Sequence, residues 1–475
     1  MARIRVGIFK AQLSNPAQCC TIVGGGLAGS EAAYQLAKRG VFVRLYEMRP
    51  FKSSPAHGSG NFAELVCSNS LGADQPTSPA GILKAELRRL DSLIVKAAEH
   101  ARVPAGRALA VDRDLFSSFI TQEIENHPNI EIVREEVTDL PEGAAIIAVG
   151  PLMSGALAGR LREVVGEDYL SFFDAAAPIV TAESIDMDLA YRASRYGEGD
   201  DYVNCPLDRA CYENFHRELT SAERIPLNEV DFRGDWEPVA PGKKNRLFFE
   251  GCLPVEVIGE RGIDTLRFGP MRPVGLADPR TGREPYAVVQ LRRDNADGSL
   301  YNLVGFQTNL RWPEQERVFC MIPGLENAEF VRKGVMHRNT FVCAPRVLDD
   351  FLRPKKDGTV FREDLFLAGQ ITGVEGYVES TACGLVAALN LFCLLADKPI
   401  PTWPCKTAIG SLLYYLRSAE PASFQPMNVN LGIFPKLEPI LIGGKRKKQT
   451  KQERCLQYAE RSLVSLEIFL RENFQ

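Results

Sequence analysis

The run Gly24-Gly25-Gly26-Leu27-Ala28-Gly29 constrains this chain more than any other feature. It follows a strand-like stretch, Cys19 to Val23, and opens a helical pattern from Ser30 to Lys38 with Ala33, Leu36 and Ala37 on one side. Gly40 stops that helix, and Val41 to Tyr46 reads as a second strand. Strand, glycine loop, helix and strand in this order imply a parallel sheet. Gly24, Gly26 and Gly29 fit GxGxxG. The first permits a tight turn, the second lets backbone approach a pyrophosphate, and the third lets helix pack on strand. The helix N-terminus then offers N–H donors and partial positive charge to phosphates. Glu47 stands 23 residues after Gly24, at the end of the second strand. An acid there accepts hydrogen bonds from ribose hydroxyls.

One such loop serves NAD, FAD or, with looser spacing, a SAM methyltransferase. The segment Leu367 to Tyr377 favours FAD. It is a strand, a glycine-rich turn with Gly369, Gln370, Gly373 and Gly376, and a helix start. In two-loop flavoproteins a returning segment of this kind brings a helix N-terminus against the flavin ring, where its dipole stabilises an anionic reduced flavin. Close packing of backbone is the plainer account of the same glycines. At about 150 residues per domain, 475 residues predict two to three domains. From about 180 to 317, short β-like runs alternate with turns such as Asp294-Asn295 and Asp297-Gly298. The expected architecture is α/β: a Rossmann-like, two-dinucleotide-type FAD-binding domain with an inserted α+β domain. Its parts are 17–180, the insert 181–317, and 318–475 with a basic, helical C-terminal tail. Further strands are expected over Ala145–Val149 and Leu365–Leu367. Helices are expected over Gly81–Ala98, Ser380–Leu395 and Gln452–Asn473.

Lys and Arg total 56 against 60 Asp and Glu, a net charge of −4. That excludes a uniformly basic nucleic-acid coat but not a local patch. The longest apolar stretch, Leu385 to Ala396, is short for a membrane span and carries Asn390, so a buried helix is expected. The N-terminus lacks the apolar core of a signal peptide. Twelve cysteines form no CxxC pair. Free thiols in a reducing compartment are expected, hence a cytoplasmic protein with neither a disulfide framework nor a zinc or other metal site.

Two thiols stand out. Cys67 lies in Glu64-Leu65-Val66-Cys67-Ser68-Asn69-Ser70, close in sequence to the nucleotide fold. Cys252 lies in Phe248-Phe249-Glu250-Gly251-Cys252-Leu253-Pro254, near Arg261, Arg267 and Arg272. A thiol near arginines has a depressed pKa and acts as a thiolate. The plain alternative, which fits Cys383 and Cys393 better, is a small buried hydrophobe, and Cys205 in Asn204-Cys205-Pro206 has no evident partner. His57 and His337 are the histidines considered for acid–base work, against a structural role. Glu375 and Glu379 are placed to bond a flavin edge or to cap a helix. The basic run Lys445 to Lys451, with Arg280, Arg283, Arg292 and Arg293, offers a positive face for phosphates or a solvated surface.

At this level of detail the chain resembles the folate- and FAD-dependent tRNA (uracil-5-)-methyltransferase family. The resemblance runs through Gly24–Ala33, Leu45–Pro50, Phe62–Leu71, Val103–Gly106, Asp174–Val180 and Phe249–Cys252. It continues through Phe268–Met271, Pro285–Arg292, Asn302–Thr308, Gly334–Thr340, Ala368–Ser380 and Phe424–Asn428, spanning about 17 to 473. The extension before Ala17 has no counterpart in that pattern, and Val149 stands where the family has a threonine in its Ala-Thr-Gly motif. The resemblance implies methylation of C5 of uridine 54 in the tRNA T-loop. The carbon comes from 5,10-methylenetetrahydrofolate, reduced FAD supplies electrons, and NADH or NADPH reduces the FAD. It implies Cys252 as nucleophile at uracil C6 and Cys67 as base at C5, with the two roles open to exchange. Gly24 to Gly29, Glu47, Gly369, Gln370, Gly373 and Gly376 hold the cofactor. The partner is tRNA, with no membrane and no stable protein partner. Other readings are the same chemistry on a ribosomal RNA uridine and a non-enzymatic FAD-carrying RNA-binding protein. A third is the related, larger family that carboxymethylaminomethylates a wobble uridine with a GTPase partner.

Overall fold

β-Branched residues dominate the first strand, β1 (Cys19–Val23), and in the computed structural model it is the centre of a parallel sheet. The structure describes residues 18–54, 56–166, 170–197, 199–226, 248, 252–439, 441–442, 445–446 and 449–474. The extension before Ala17 lies outside them, as do Phe249, Glu250 and Gly251 and, in the basic run, Lys447 and Lys448. From β1 the chain runs into α1 (Leu27–Ala37) and β2 (Phe42–Tyr46). α2 (Pro79–Arg89), α3 (Leu93–His100) and α4 (Arg113–Glu125) follow, then β3 (Ile130–Val133) and β4 (Ala145–Ile147).

One helix is expected over Gly81–Ala98, and two form. Asp91 takes φ +59, and the Ser92 hydroxyl accepts from the Val95 N–H at 3.3 Å to start α3. Apolar periodicity continues on both sides of this turn, so pattern alone does not reveal it. Ser78 caps α2 through the Gly81 N–H at 3.1 Å, with Pro79 in the first turn.

After β5 (Leu170–Ala175) and β6 (Ile179–Thr181) the chain builds a second, antiparallel sheet. Its other strands are β7 (Tyr191–Arg192), β8 (Tyr202–Leu207), β9 (Ala287–Arg293), β10 (Leu300–Leu303) and β11 (Phe330–Arg332). Their order is β7-β8-β9-β10-β6-β11. This sheet has a separate core containing Val203, Leu207, Phe215, Val289, Leu291 and Phe306. β12 (Met336–Phe341) pairs antiparallel with β5, setting His337 opposite Asp174. β13 (Leu365–Leu367) then returns to the parallel sheet, whose order is β13-β4-β1-β2-β3. All residues of β4 and β13 are buried, as expected for parallel strands covered on both faces.

Helices α5 (Tyr377–Leu395), α6 (Ala408–Ser418) and α7 (Lys451–Phe474) complete the described chain. α5 is long and apolar enough to cross a membrane by composition, yet Val378 through Cys393 are buried in the protein core. It packs backbone to backbone on α1: a Cβ at Gly384 would sit 2.2 Å from the Ala28 carbonyl oxygen.

Candidate active site

The turn after β1 is built as its spacing predicts. Gly24 has φ +102, and a Cβ there would meet the Ala148 carbonyl oxygen at 2.5 Å. At Gly29 a Cβ would lie 1.8 Å from the Gly24 carbonyl oxygen, so α1 rests directly on the turn. Nothing lies within 4 Å of the Cβ position of Gly26, which faces a cavity. Gly26 is the N-cap of α1 and supplies no capping side chain, and the first turn holds no acid. The helix therefore presents its N–H groups to whatever anion enters. Glu47, at the end of β2, accepts from the Gly25 N–H at 2.9 Å and from Arg49 Nε at 3.0 Å. Burial works against its charge, but Arg49 outweighs this and holds the carboxyl below its ordinary range.

This cavity, of about 430 Å³, collects residues from across the chain. Gly24, Gly26, Leu27, Ala28, Glu47, Cys67, Cys252, Gly369, Gln370 and Gly376 all line it. So do Val149, His57, His337, Glu375 and Glu379. Gly25 and Gly29 serve the turn behind the wall. Gly373 stands apart from the cavity: it has φ +93, and a Cβ would run into the Phe424 ring at 2.5 Å. Packing accounts for this glycine, as it does for Gly369, whose Cβ would lie 2.9 Å from that of Ala28.

Cys67 is held from four directions. Its N–H donates to the Tyr377 hydroxyl at 2.9 Å and its thiol to the Ala175 carbonyl at 3.4 Å. Its carbonyl accepts from Arg113 at 3.0 Å, and the neighbouring Val66 carbonyl accepts from Arg332 at 2.7 Å. The Cys252 thiol donates a hydrogen bond to the carboxylate of Asp174. The Cys252 sulfur and one carboxylate oxygen each of Asp174 and Glu375 lie within 4.8 Å of one another.

The expected arginine-lowered thiolate is not what forms. Burial pushes the Cys252 thiol up, and Asp174, Cys67 and Glu375 push it further. Arg267 is turned away to Asp264 and to the ring of Tyr286. Burial also raises Cys67, helped by Asp174 and opposed by Arg113. Nearness in sequence put arginines beside Cys252, whereas the fold puts carboxylates there.

Other sequence candidates divide cleanly. Burial, then Arg49, lowers His57 to about 4, and its ring bonds Ser54 at 2.6 Å. Burial lowers His337 also. Glu375 is pushed well up by burial and by Asp174, and accepts from Gln370 at 2.6 Å. Glu379 accepts from the Val429 N–H at 3.0 Å. Cys205, on β8, is fully buried in the core of the antiparallel sheet. Arg292 and Arg280 do not join an open positive face. Arg292 is buried and bonds Asn69 and Ser68, and Arg280 pairs with Asp278 at 2.8 Å. Asp174, Arg113, Asn339 and Tyr377 are site residues that the sequence reading did not single out. An acid inside the apolar run Phe172 to Val180 was the available signal for Asp174.

A parallel sheet with a glycine turn at its centre and a second glycine-rich turn closing the same cavity defines a Rossmann-type protein of the FAD-binding class. The family profile described as "GIDA: Glucose inhibited division protein A" matches residues 19–399. Aquifex aeolicus GidA, in its form II crystal, superposes with a TM-score of 0.63 at 15% identity, covering 97% of this chain and 74% of that one. The methylenetetrahydrofolate--tRNA-(uracil-5-)-methyltransferase TrmFO of Anoxybacillus flavithermus is 53% identical over 453 residues, 95% of this chain and 99% of its own. That of Natranaerobius thermophilus is 55% identical over 442 residues, 93% of this chain and 98% of its own. The chain belongs to the methylenetetrahydrofolate--tRNA-(uracil-5-)-methyltransferase family.

Proposed function

We propose that this protein methylates C5 of uridine 54 in the T-loop of tRNA, taking the carbon from 5,10-methylenetetrahydrofolate. FAD is its resident cofactor, with NADH or NADPH as the source of electrons. Membership of the family supports the reaction class. The observation that carries the mechanism is that Cys67 and Cys252 line one cavity with the Gly24–Gly29 turn. The division 17–180, 181–317 and 318–475 belongs to the same reading.

The residues present suit FAD. The open face of Gly26 and the uncapped start of α1 suit a pyrophosphate, and the ionised Glu47 suits ribose hydroxyls. Gly369, Gln370 and Gly376 at the start of α5 would border the ring. When bound and reduced, the flavin supplies the electron pair that turns a methylene into a methyl group. The chain's own groups do the rest. Uracil C5 is a weak nucleophile until a thiol adds at C6 and makes it an enolate carbon. Cys252 is assigned that addition. Cys67 is assigned removal of the C5 proton once the carbon has joined. The uridine must leave its stack to reach so enclosed a site.

The test is purified protein with unmodified tRNA, methylenetetrahydrofolate and NADPH. The expected product is 5-methyluridine at one T-loop position. Methylation supported by SAM alone, or none under any of these conditions, overturns the reading.

A further inference from the structure

One strand end reaches both thiols. At the close of β5, the Ala175 carbonyl takes the Cys67 thiol at 3.4 Å, and the Asp174 carboxylate takes the Cys252 thiol. Asp174 is 5% exposed and firmly held. One carboxylate oxygen accepts from the Ala175 N–H at 2.8 Å. The other accepts from Asn339 Nδ2 at 3.4 Å and faces His337 Nε2 at 3.7 Å. Two carboxyl groups as close as Asp174 and Glu375 cannot both ionise cheaply. Asp174 accepts on both oxygens and takes the Cys252 thiol as well, while Glu375 accepts from Gln370 and the Gly376 N–H. Burial raises both carboxyls, but Glu375 is pushed well up while His337, the Ala175 N–H, Cys252 and Asn339 pull Asp174 back, so of the two Asp174 is the readier to carry the charge.

We propose that Asp174 is a catalytic residue: its carboxylate takes the Cys252 proton as the sulfur adds to uracil C6, with the Ala175 N–H and Asn339 holding it in place. The proposal rests on the function proposed above. In the forward step the S–H bond breaks and the S–C6 bond forms. The C5=C6 electron pair moves toward O4 as an enolate, and the proton rests on Asp174. In the closing step a base takes the C5 proton, C5=C6 re-forms, and the S–C6 pair returns to sulfur. Sulfur then recovers its proton from Asp174. Neither step needs an added oxidant or reductant. A neutral buried thiol beside carboxylates needs such an acceptor, because free thiolate is disfavoured there.

Covalent adduct formation with 5-fluorouridine tRNA tests this in the full-length, FAD-loaded protein between pH 7 and pH 9. For Asp174→Asn the expected rate is about 100-fold below wild type at pH 7, rising about tenfold per pH unit as hydroxide replaces the lost acceptor. The groups facing Asp174 are His337, Glu375, Tyr377, Cys67 and Cys252, and wild type and variant share them all. Removing Asp174 also frees Glu375 to ionise, so the comparison is repeated in a Glu375→Gln background, where the difference between the two profiles isolates Asp174. Alkylation of Cys252 by iodoacetamide, without RNA and in a Cys67→Ser background, is expected to change in the opposite sense. It proceeds through free thiolate, so removing the carboxylate should speed it. An Asp174→Asn adduct rate near wild type at pH 7, a loss without recovery at high pH, or slower alkylation overturns the proposal. If the variant does not fold, wild type decides. Adduct formation about twofold slower in D2O supports transfer in the step, and no slowing overturns it. Wild type that forms neither adduct nor 5-methyluridine takes the proposed function down as well.

Discussion

Gly29 leaves no space for one more carbon, because its Cβ position lies 1.8 Å from the Gly24 carbonyl oxygen. Gly29→Ala must push α1 off the turn that would face the pyrophosphate. Purified Gly29→Ala protein is expected to be colourless, with FAD affinity at least about tenfold weaker, as read by flavin absorbance and titration. Cys252→Ala is expected to form no covalent adduct with 5-fluorouridine tRNA, seen as the absence of a shifted band. An adduct would move the nucleophile assignment to Cys67. At this scale the glycine turn and the two thiols were legible in the sequence, since each sits in a short, distinctive run. The sign of the thiol shift was not. Arg261, Arg267 and Arg272 are neighbours of Cys252 in the chain, but Asp174 and Glu375 are its neighbours in the fold. No local rule reports a partner 78 or 123 residues away.

Two buried glutamates join helices in the same manner. Glu31 on α1 accepts from the Ser92 hydroxyl at 2.7 Å and the Ile94 N–H at 3.0 Å, at the start of α3. Glu86 on α2 accepts from the Ala408 and Ile409 N–H groups, at the start of α6, and from the Ser462 hydroxyl on α7. Burial raises Glu86 to about 7 against the pull of these donors. An acid with a raised folded-state pKa is favoured when neutral. Its contribution is full below about 4.5 and is lost as pH climbs through about 7, a loss of about 3 kcal/mol. Urea unfolding at pH 5 and pH 8 should show this fall in wild type, and Glu86→Gln should lack it. The strands β1 and β13 and the ends of α7 were legible from apolar pattern to within a residue or two. The α2–α3 break was not, because a capped turn inside a continuous apolar rhythm leaves that rhythm intact.

Across the whole molecule, the loop carrying Cys67 answers to the antiparallel sheet. Arg113, which bonds the Leu65 and Cys67 carbonyls, is paired to Asp294 at 3.0 Å with both side chains nearly buried. Arg292 bonds Ser68 and Asn69, and Asn69 bonds the Arg293 carbonyl at 2.8 Å. Asp294→Ala strands a buried guanidinium, which costs about 3–5 kcal/mol. Turnover of this variant is expected to fall at least about tenfold while FAD content holds, as read by kcat and flavin content on one preparation. Sequence texture from about 180 to 317 alternates short β-like runs with turns. It carried no trace of these links, which join residues some 180 to 225 positions apart.

Such wiring bears on engineering. The antiparallel sheet is no exchangeable cassette: a graft from a distant homologue would bring its own lining for the thiol-bearing loop and leave Ser68, Asn69 and Arg113 facing strangers. A change on either side of that seam leaves a buried polar or charged group on the other without its partner.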